Sequence, residues 1–222
     1  MNVLITGANR GLGLGFVKHY LSQGCEVWAC HRHEYEQLQG LNADKLHLLQ
    51  WDVGSDDAPV GDLPDKIDLL INNAGIYGSY KGGQSLDEIT PDGMMEVFNI
   101  DCVGVLRVVQ RLKSRVIAAQ GKIANISSKM GSSGDNSSGG SYAYRAAKAA
   151  LVIVSKSMAV DLAPDGVRVM TLHPGWVQTD MTHHSGLIDV ETSVKGMTNV
   201  IAHIDDYEAG QFVAFDGQIV PY

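Results

Sequence analysis

The stretch "SGGSYAYRAAKAAL", residues 138–151, sets two tyrosines beside one lysine. A phenol can give or take a proton, and a nearby ammonium lowers the pKa at which it does so. The residues after Ser141 are alanine-rich and contain no Gly or Pro before Pro164, which predicts a helix. Side chains four positions apart stack on one helical face. Tyr144 and Lys148 stand four apart, whereas Tyr142 and Lys148 stand six apart and point to different sides. The spacing therefore pairs Tyr144 with Lys148. On its own it fits equally a solvated helix face with an aromatic ring packed beneath it.

The pair needs a scaffold. The 222 residues suffice for one domain with a sizeable core, and 45% apolar and 19% charged residues suit a globular protein. A net charge of -8 argues against nonspecific nucleic-acid binding. Cys25, Cys30 and Cys102 form no C-x-x-C pair and suggest no disulfide framework, so a reducing cytoplasm is the expected setting. "MNVLITG" does not read as a signal peptide, and no apolar run reaches membrane-spanning length.

Short apolar runs at 2–6, 25–30, 46–51, 67–72, 122–127, 167–172 and 211–215 predict seven strands. Most do not alternate, as expected of a sheet buried on both faces. Helical patterns near 12–23, 91–118, 142–163 and 190–202, with a short one at 34–40, fall between them. Thr90 before Pro91 is a helix start signal. This alternation predicts an α/β protein with a doubly wound, parallel, seven-stranded sheet, one domain spanning 1–222. "GSSGDNSSGG" (131–140) reads as a flexible loop ahead of the Tyr144 helix.

The first strand runs into the glycine turn Thr6-Gly7-x-x-x-Gly11-x-Gly13, which opens a helix. Such a turn presents backbone amides to a phosphate, although tight helix–sheet packing also accounts for it. No Gly-Lys-Ser/Thr follows, and Phe16 stands where G-x-G-x-x-G would have its last glycine. The second strand ends "ACHRH" without an acid. Arg10, His31, Arg32 and His33 would form a local cationic patch that favours NADP(H) over NAD(H). Solvated surface is the other reading of these residues.

TGANRGLG (6–13), NNAG (72–75), "NISS" (125–128), Y-x-x-x-K (144–148) and "HPGWVQTDM" (173–181) stand in order along nearly the whole chain. Together they resemble the short-chain dehydrogenase/reductase family, a Rossmann fold, and within it the C-factor-like and sniffer-like carbonyl reductases. The resemblance implies an NADP(H)-dependent oxidoreductase that interconverts a carbonyl and an alcohol by hydride transfer. Tyr144 would be the general acid or base, Lys148 would bind the nicotinamide ribose and lower the pKa of Tyr144, and Ser128 would hydrogen-bond the carbonyl. Thr6, Gly7, Asn9, Arg10, Gly11, Leu12 and Gly13 would surround the pyrophosphate, with His31 and Arg32 at the 2′-phosphate. Asp52 and Val53 would lie by the adenine, and Asn73, Ala74 and Gly75 by the adenosine ribose and sheet. Pro174, Gly175, Val177 and Thr179 would hold the nicotinamide side. The family commonly forms homodimers or homotetramers. Its C-factor members keep a second reading open, a nucleotide-binding signalling protein in which catalysis is secondary.

In two places the pattern departs from the family: the 131–140 loop lengthens the gap between Ser128 and Tyr144, and the expected Asn is missing. Where relatives carry a catalytic Asn in N-x-x-G, this chain has Asp101 before Gly104, and Asn99 falls two positions earlier. Asp101 is thus either a member of a proton relay or a tolerated substitute. Tyr77, Tyr80, Trp176 and Met181 are candidates to line the substrate end, and core packing would account for each as well. The His183-His184 and His31/His33 pairs lack a third ligand, so no metal is expected.

Overall fold

The computed structural model describes residues 1–33, 35–41, 43–78 and 83–222. Seven strands, β1 (Asn2–Ile5), β2 (Glu26–His31), β3 (Leu46–Gln50), β4 (Leu69–Asn72), β5 (Lys122–Ile126), β6 (Arg168–His173) and β7 (Phe212–Ala214), form one sheet. All pair in parallel in the order β3-β2-β1-β4-β5-β6-β7. Val3 and Ile5 point into a core shared with helices α1 (Gly11–Ser22) and α6 (Val190–Ala202). Leu4, between them, joins a second core on the opposite face with α4 (Gly104–Ala119) and α5 (Tyr142–Leu162). Apolar side chains at successive positions are therefore all buried, which is why these strands do not alternate.

A buried polar ladder crosses the middle of the sheet. Asn72 on β4 donates to Asn125 on β5 (2.8 Å), Asn125 donates to Ser155 on α5 (2.8 Å), and Ser155 donates to the Leu151 carbonyl (2.7 Å). A one-residue slip would leave these amides unpaired in an apolar layer, so the ladder pins the strand register and fixes the long helix against the sheet.

The helix expected over 91–118 is interrupted. The short α2 (Glu36–Gln39) precedes α3 (Pro91–Phe98), which starts where Thr90 accepts from the Gly93 amide (3.0 Å). Between α3 and α4 the chain makes one π-helical turn, Asn99–Val103. A π turn inserts a residue into the helical repeat and rotates the side chains that follow. The turn is held from outside: Asn99 donates to the Gly54 carbonyl (2.8 Å), and Arg107 donates to the Asn99 side chain (2.7 Å). Gly104 lies so close to Val53 that a Cβ there would sit 2.9 Å from its carbonyl.

The 131–140 loop is largely exposed, and three contacts anchor it. Gly134 donates to the Tyr222 carbonyl (3.0 Å), Lys129 pairs with Asp135 (3.1 Å), and Arg145 donates to Ser138 (2.9 Å).

Candidate active site

The strand order reverses between β1 and β4, which opens a crevice at the carboxyl ends of the sheet, where open α/β sheets bind ligands. The glycine turn lies at this crevice. Gly7 and Gly11 have φ of +62° and +52°, a left-handed backbone that favours glycine. A Cβ on Gly13 would lie 2.1 Å from the Gly7 carbonyl oxygen. Thr6 accepts from the amides of Asn73 (3.0 Å) and Ala74 (3.1 Å), and Asn73 donates to the carbonyls of Thr6 and Gly7 (both 3.0 Å). Thr6 and Asn73 thus build the turn and lock it to β4. Asn9 is half-buried in it, and Leu12 packs against the core.

Arg10 is the N-cap of α1, and no side chain caps that helix. No acidic residue stands in its first turn, whose amides suit a phosphate group. Arg10 is exposed and meets Asp180 at 3.7 Å. Arg32 is exposed at the end of β2, with no acid in the strand's last turn of sequence. His31 lies deeper than the arginines. It is only 7% exposed, its ring lies 4.6 Å from the Tyr35 ring at a tilt of 33°, and burial lowers its pKa. Burial disfavours the imidazolium, so the permanent charges of this patch are the exposed Arg10 and Arg32. Asp52 accepts from the Gly54 amide (2.9 Å), and Val53 is buried against Gly104.

The other wall of the crevice follows β6. Pro174 accepts from Ser193 (2.6 Å), Gly175 turns the chain at φ +85°, and Val177 pairs with Ile188. Thr179 and Thr182 form a capping box, and Thr179 returns to the glycine turn, 3.6 Å from where a Gly11 Cβ would lie. The glycine turn and the segment after β6 therefore meet at Gly11 and Thr179. Tyr77, Trp176 and Met181 are exposed at this end, and Tyr80 lies outside the described residues. His184 meets Asp180 (3.2 Å). Among the described residues no three His, Cys, Asp or Glu side chains group as a metal site, and no helix is long and apolar enough to cross a membrane.

Tyr144 and Lys148 share one face of α5, with the ammonium 5.6 Å from the tyrosine ring centre. Tyr144 is 8% exposed and Tyr142 39%, so the first faces inward and the second outward. Of the two serines after β5, Ser127 donates to the Lys148 carbonyl (3.0 Å) and anchors the helix backbone. Ser128 lies beside the Tyr144 side chain, and its hydroxyl accepts from the Met130 amide (3.2 Å).

Asp101 reaches the same place from the π turn. Its carboxylate lies 3.1 Å from the Lys148 ammonium, and both groups are buried. Its other oxygen accepts from the Ile76 amide (2.8 Å), and Lys148 also donates to the Ile126 carbonyl (3.1 Å). Gly75 makes room for the pair, since a Cβ there would lie 3.2 Å from Asp101 and 3.3 Å from the ammonium. Asn99 is not part of this cluster and holds the Gly54 loop instead.

The charges set the proton chemistry. Burial would lower Lys148, but Asp101 and Tyr144 outweigh it, so its pKa is raised and it stays an ammonium. Burial raises Asp101, opposed by Lys148 and the Ile76 amide. Tyr144 is raised as well. Burial is the main cause, Lys148 pulls the other way, Asp101 pushes up, and Ser128 pulls down. The expectation that Lys148 lowers this phenol captures one contribution, while the net direction is upward. Tyr144 is therefore held as a phenol, the form that gives a proton.

Gln84 has no counterpart in the sequence reasoning. It caps α5 from outside the helix, accepting from the amides of Ala143 (3.1 Å) and Tyr144 (3.5 Å) through its side chain and from Tyr142 (3.3 Å) through its carbonyl.

Comparison with known proteins agrees with this fold. The short chain dehydrogenase profile matches residues 1–187. The C-signal of Myxococcus xanthus is 38% identical over 157 residues, covering 70% of this chain and 93% of that protein. The carbonyl reductase Sniffer of D. melanogaster superposes with a TM-score of 0.89 at 29% identity, covering 100% of this chain and 99% of that one. An NADPH-bound carbonyl reductase from chicken fatty liver superposes at 0.87 with 28% identity, covering 100% and 94%. With its ordered motifs, parallel sheet and clustered Ser128, Tyr144 and Lys148, the chain belongs to the short-chain dehydrogenase/reductase family of oxidoreductases.

Proposed function

We propose that this protein is an NADP(H)-dependent reductase of aldehydes, ketones or quinones. The observation that carries the reading is the buried grouping of Ser128, Tyr144 and Lys148 at the same crevice as the glycine turn. When bound, the nicotinamide cofactor supplies the two electrons and the hydrogen that the carbonyl carbon receives. Gly7, Gly11 and Gly13 would admit its pyrophosphate, Arg10 and Arg32 its 2′-phosphate, and Pro174, Gly175, Val177 and Thr179 its nicotinamide side.

The remaining chemistry belongs to the chain. The Ser128 hydroxyl donates to the carbonyl oxygen and polarises it. As negative charge develops on that oxygen, the Tyr144 phenol gives it a proton. The Lys148 ammonium stabilises the phenolate left behind, and Asp101 keeps that ammonium charged. Asp101 acts through Lys148 and is thus a positioning residue. NADPH consumption with a panel of aldehydes, ketones and quinones tests the proposal. No turnover with any of them would leave the second reading, a nucleotide-binding signalling protein, which the likeness to the C-signal favours.

Arg32→Asp should narrow or invert the preference for NADPH over NADH. Charge-assisted hydrogen bonds contribute about 1.5–3 kcal/mol, or roughly ten- to hundredfold in affinity. Titration of both cofactors against protein fluorescence reads the ratio, and equal affinities in the parent protein would refute the 2′-phosphate assignment.

Asp101→Asn should stay within about tenfold of the parent in turnover, about 1.4 kcal/mol of barrier. The amide can still accept from Ile76 and face the ammonium. Removing the carboxylate also removes its upward push on Tyr144. Alcohol oxidation needs the phenolate and rises with pH, so its midpoint should move to lower pH in the variant. A hundredfold loss would mean that the carboxylate itself carries a proton.

A further inference from the structure

We propose that Gln84 is a positioning residue that clamps the first turn of the Tyr144 helix to the segment bearing Tyr77, and thereby sets both the aim of the proton donor and one wall of the substrate pocket. The helix needs such a clamp. Its N-cap, Ser141, is in the left-handed region (φ 50°, ψ 41°) and makes no side-chain capping bond. The first amides of a helix have no partner within it, and they fall here on Tyr142, Ala143 and Tyr144. Gln84 satisfies all of them, two through its side-chain oxygen and one through its carbonyl.

The other end of the same amide donates to the Tyr77 carbonyl. Tyr77 is then joined to the helix twice more. Its hydroxyl bonds Ser141 (2.7 Å), and its ring lies 5.1 Å from the Tyr144 ring, tilted by 51°. Tyr77 is 41% exposed and Tyr144 is buried, so Tyr77 forms the outer surface over the proton donor. One side chain thus fixes the backbone of Tyr144 through its oxygen and the placement of Tyr77 through its nitrogen. An amide can do both, because it accepts on one atom and donates on the other.

Two substitutions separate the functions. Gln84→Leu removes acceptor and donor. Gln84→Glu keeps an acceptor, with a charge that suits a helix N-terminus, and loses the donor. The kinetic measurements rest on the carbonyl-reductase reading and are made in the reducing direction, where Tyr144 acts as a phenol. Gln84→Leu should lower kcat roughly tenfold, since small misplacements of a reacting group are costly. Gln84→Glu should keep kcat within about threefold while raising KM for a bulky aromatic ketone by roughly tenfold. NADPH affinity should change in neither by more than about twofold, because the glycine turn lies elsewhere.

Residue-resolved amide exchange supplies a readout independent of activity. Protection of the Ala143 and Tyr144 amides should fall in Gln84→Leu and persist in Gln84→Glu. The inference is overturned if both variants lose protection equally, if neither loses it, or if NADPH affinity falls in step with kcat. Should the parent reduce no carbonyl compound, the functional reading fails, and the exchange measurement alone still decides the clamp.

Discussion

Tyr144→Phe is expected to lower turnover by about 10² or more while leaving NADPH binding within about twofold. Phenylalanine keeps the ring that packs on Tyr77 at 5.1 Å and beside the Lys148 ammonium, so the fold of the site should survive. What disappears is one hydroxyl, which lies beside Ser128 and is the proposed source of the proton. A hundredfold corresponds to about 2.7 kcal/mol of barrier. Ser128 would still polarise the carbonyl, so a residual rate is expected. Tyr142→Phe is the control, because Tyr142 is turned outward on the same helix. Steady-state kinetics of both variants, with thermal melts to show that they fold, make the measurement. Equal losses in the two would contradict the assignment of the inward-facing tyrosine.

Lys148→Met should destabilise the protein by about 3–5 kcal/mol at neutral pH, the usual cost of removing one partner of a buried ion pair. Methionine fills comparable space, so the loss reflects the stranded Asp101 carboxylate more than a cavity. The effect should depend on pH with a definite sign. Burial already raises the Asp101 pKa, and losing the ammonium raises it further. The folded variant then takes up a proton more readily than the unfolded chain does. Its deficit is largest above the folded pKa of Asp101 and shrinks as the pH falls through that value. Urea unfolding at mildly acidic and mildly alkaline pH reads this directly. Adding Asp101→Asn to Lys148→Met should restore part of the loss at alkaline pH, because it removes the unpaired charge. A deficit independent of pH, or no recovery in the double variant, would show that the pair is not the source of the instability.

The local order of the chain was legible in the sequence because it depends on neighbours. Apolar runs gave all seven strands, and the observed bounds lie within a residue or two of those expected. Tyr144 over Lys148 followed from the helical repeat, and the glycine turn from the need for a backbone without side chains. Tertiary structure decided what depends on distance and burial. The π turn at Asn99–Val103, anchored by the Gly54 loop, swings Asp101 onto Lys148, and no helical spacing encodes that contact. Gln84 caps a helix that begins far downstream of it, so its partners exist only once the chain has folded. The direction of the Tyr144 pKa shift was likewise beyond the sequence. A lysine four residues away argues for a lower value, and the packed interior that outweighs it is a property of the whole fold. His31 follows the same rule: its neighbours in sequence suggest charge, and its burial against Tyr35 lowers its pKa, because water is what stabilises an imidazolium.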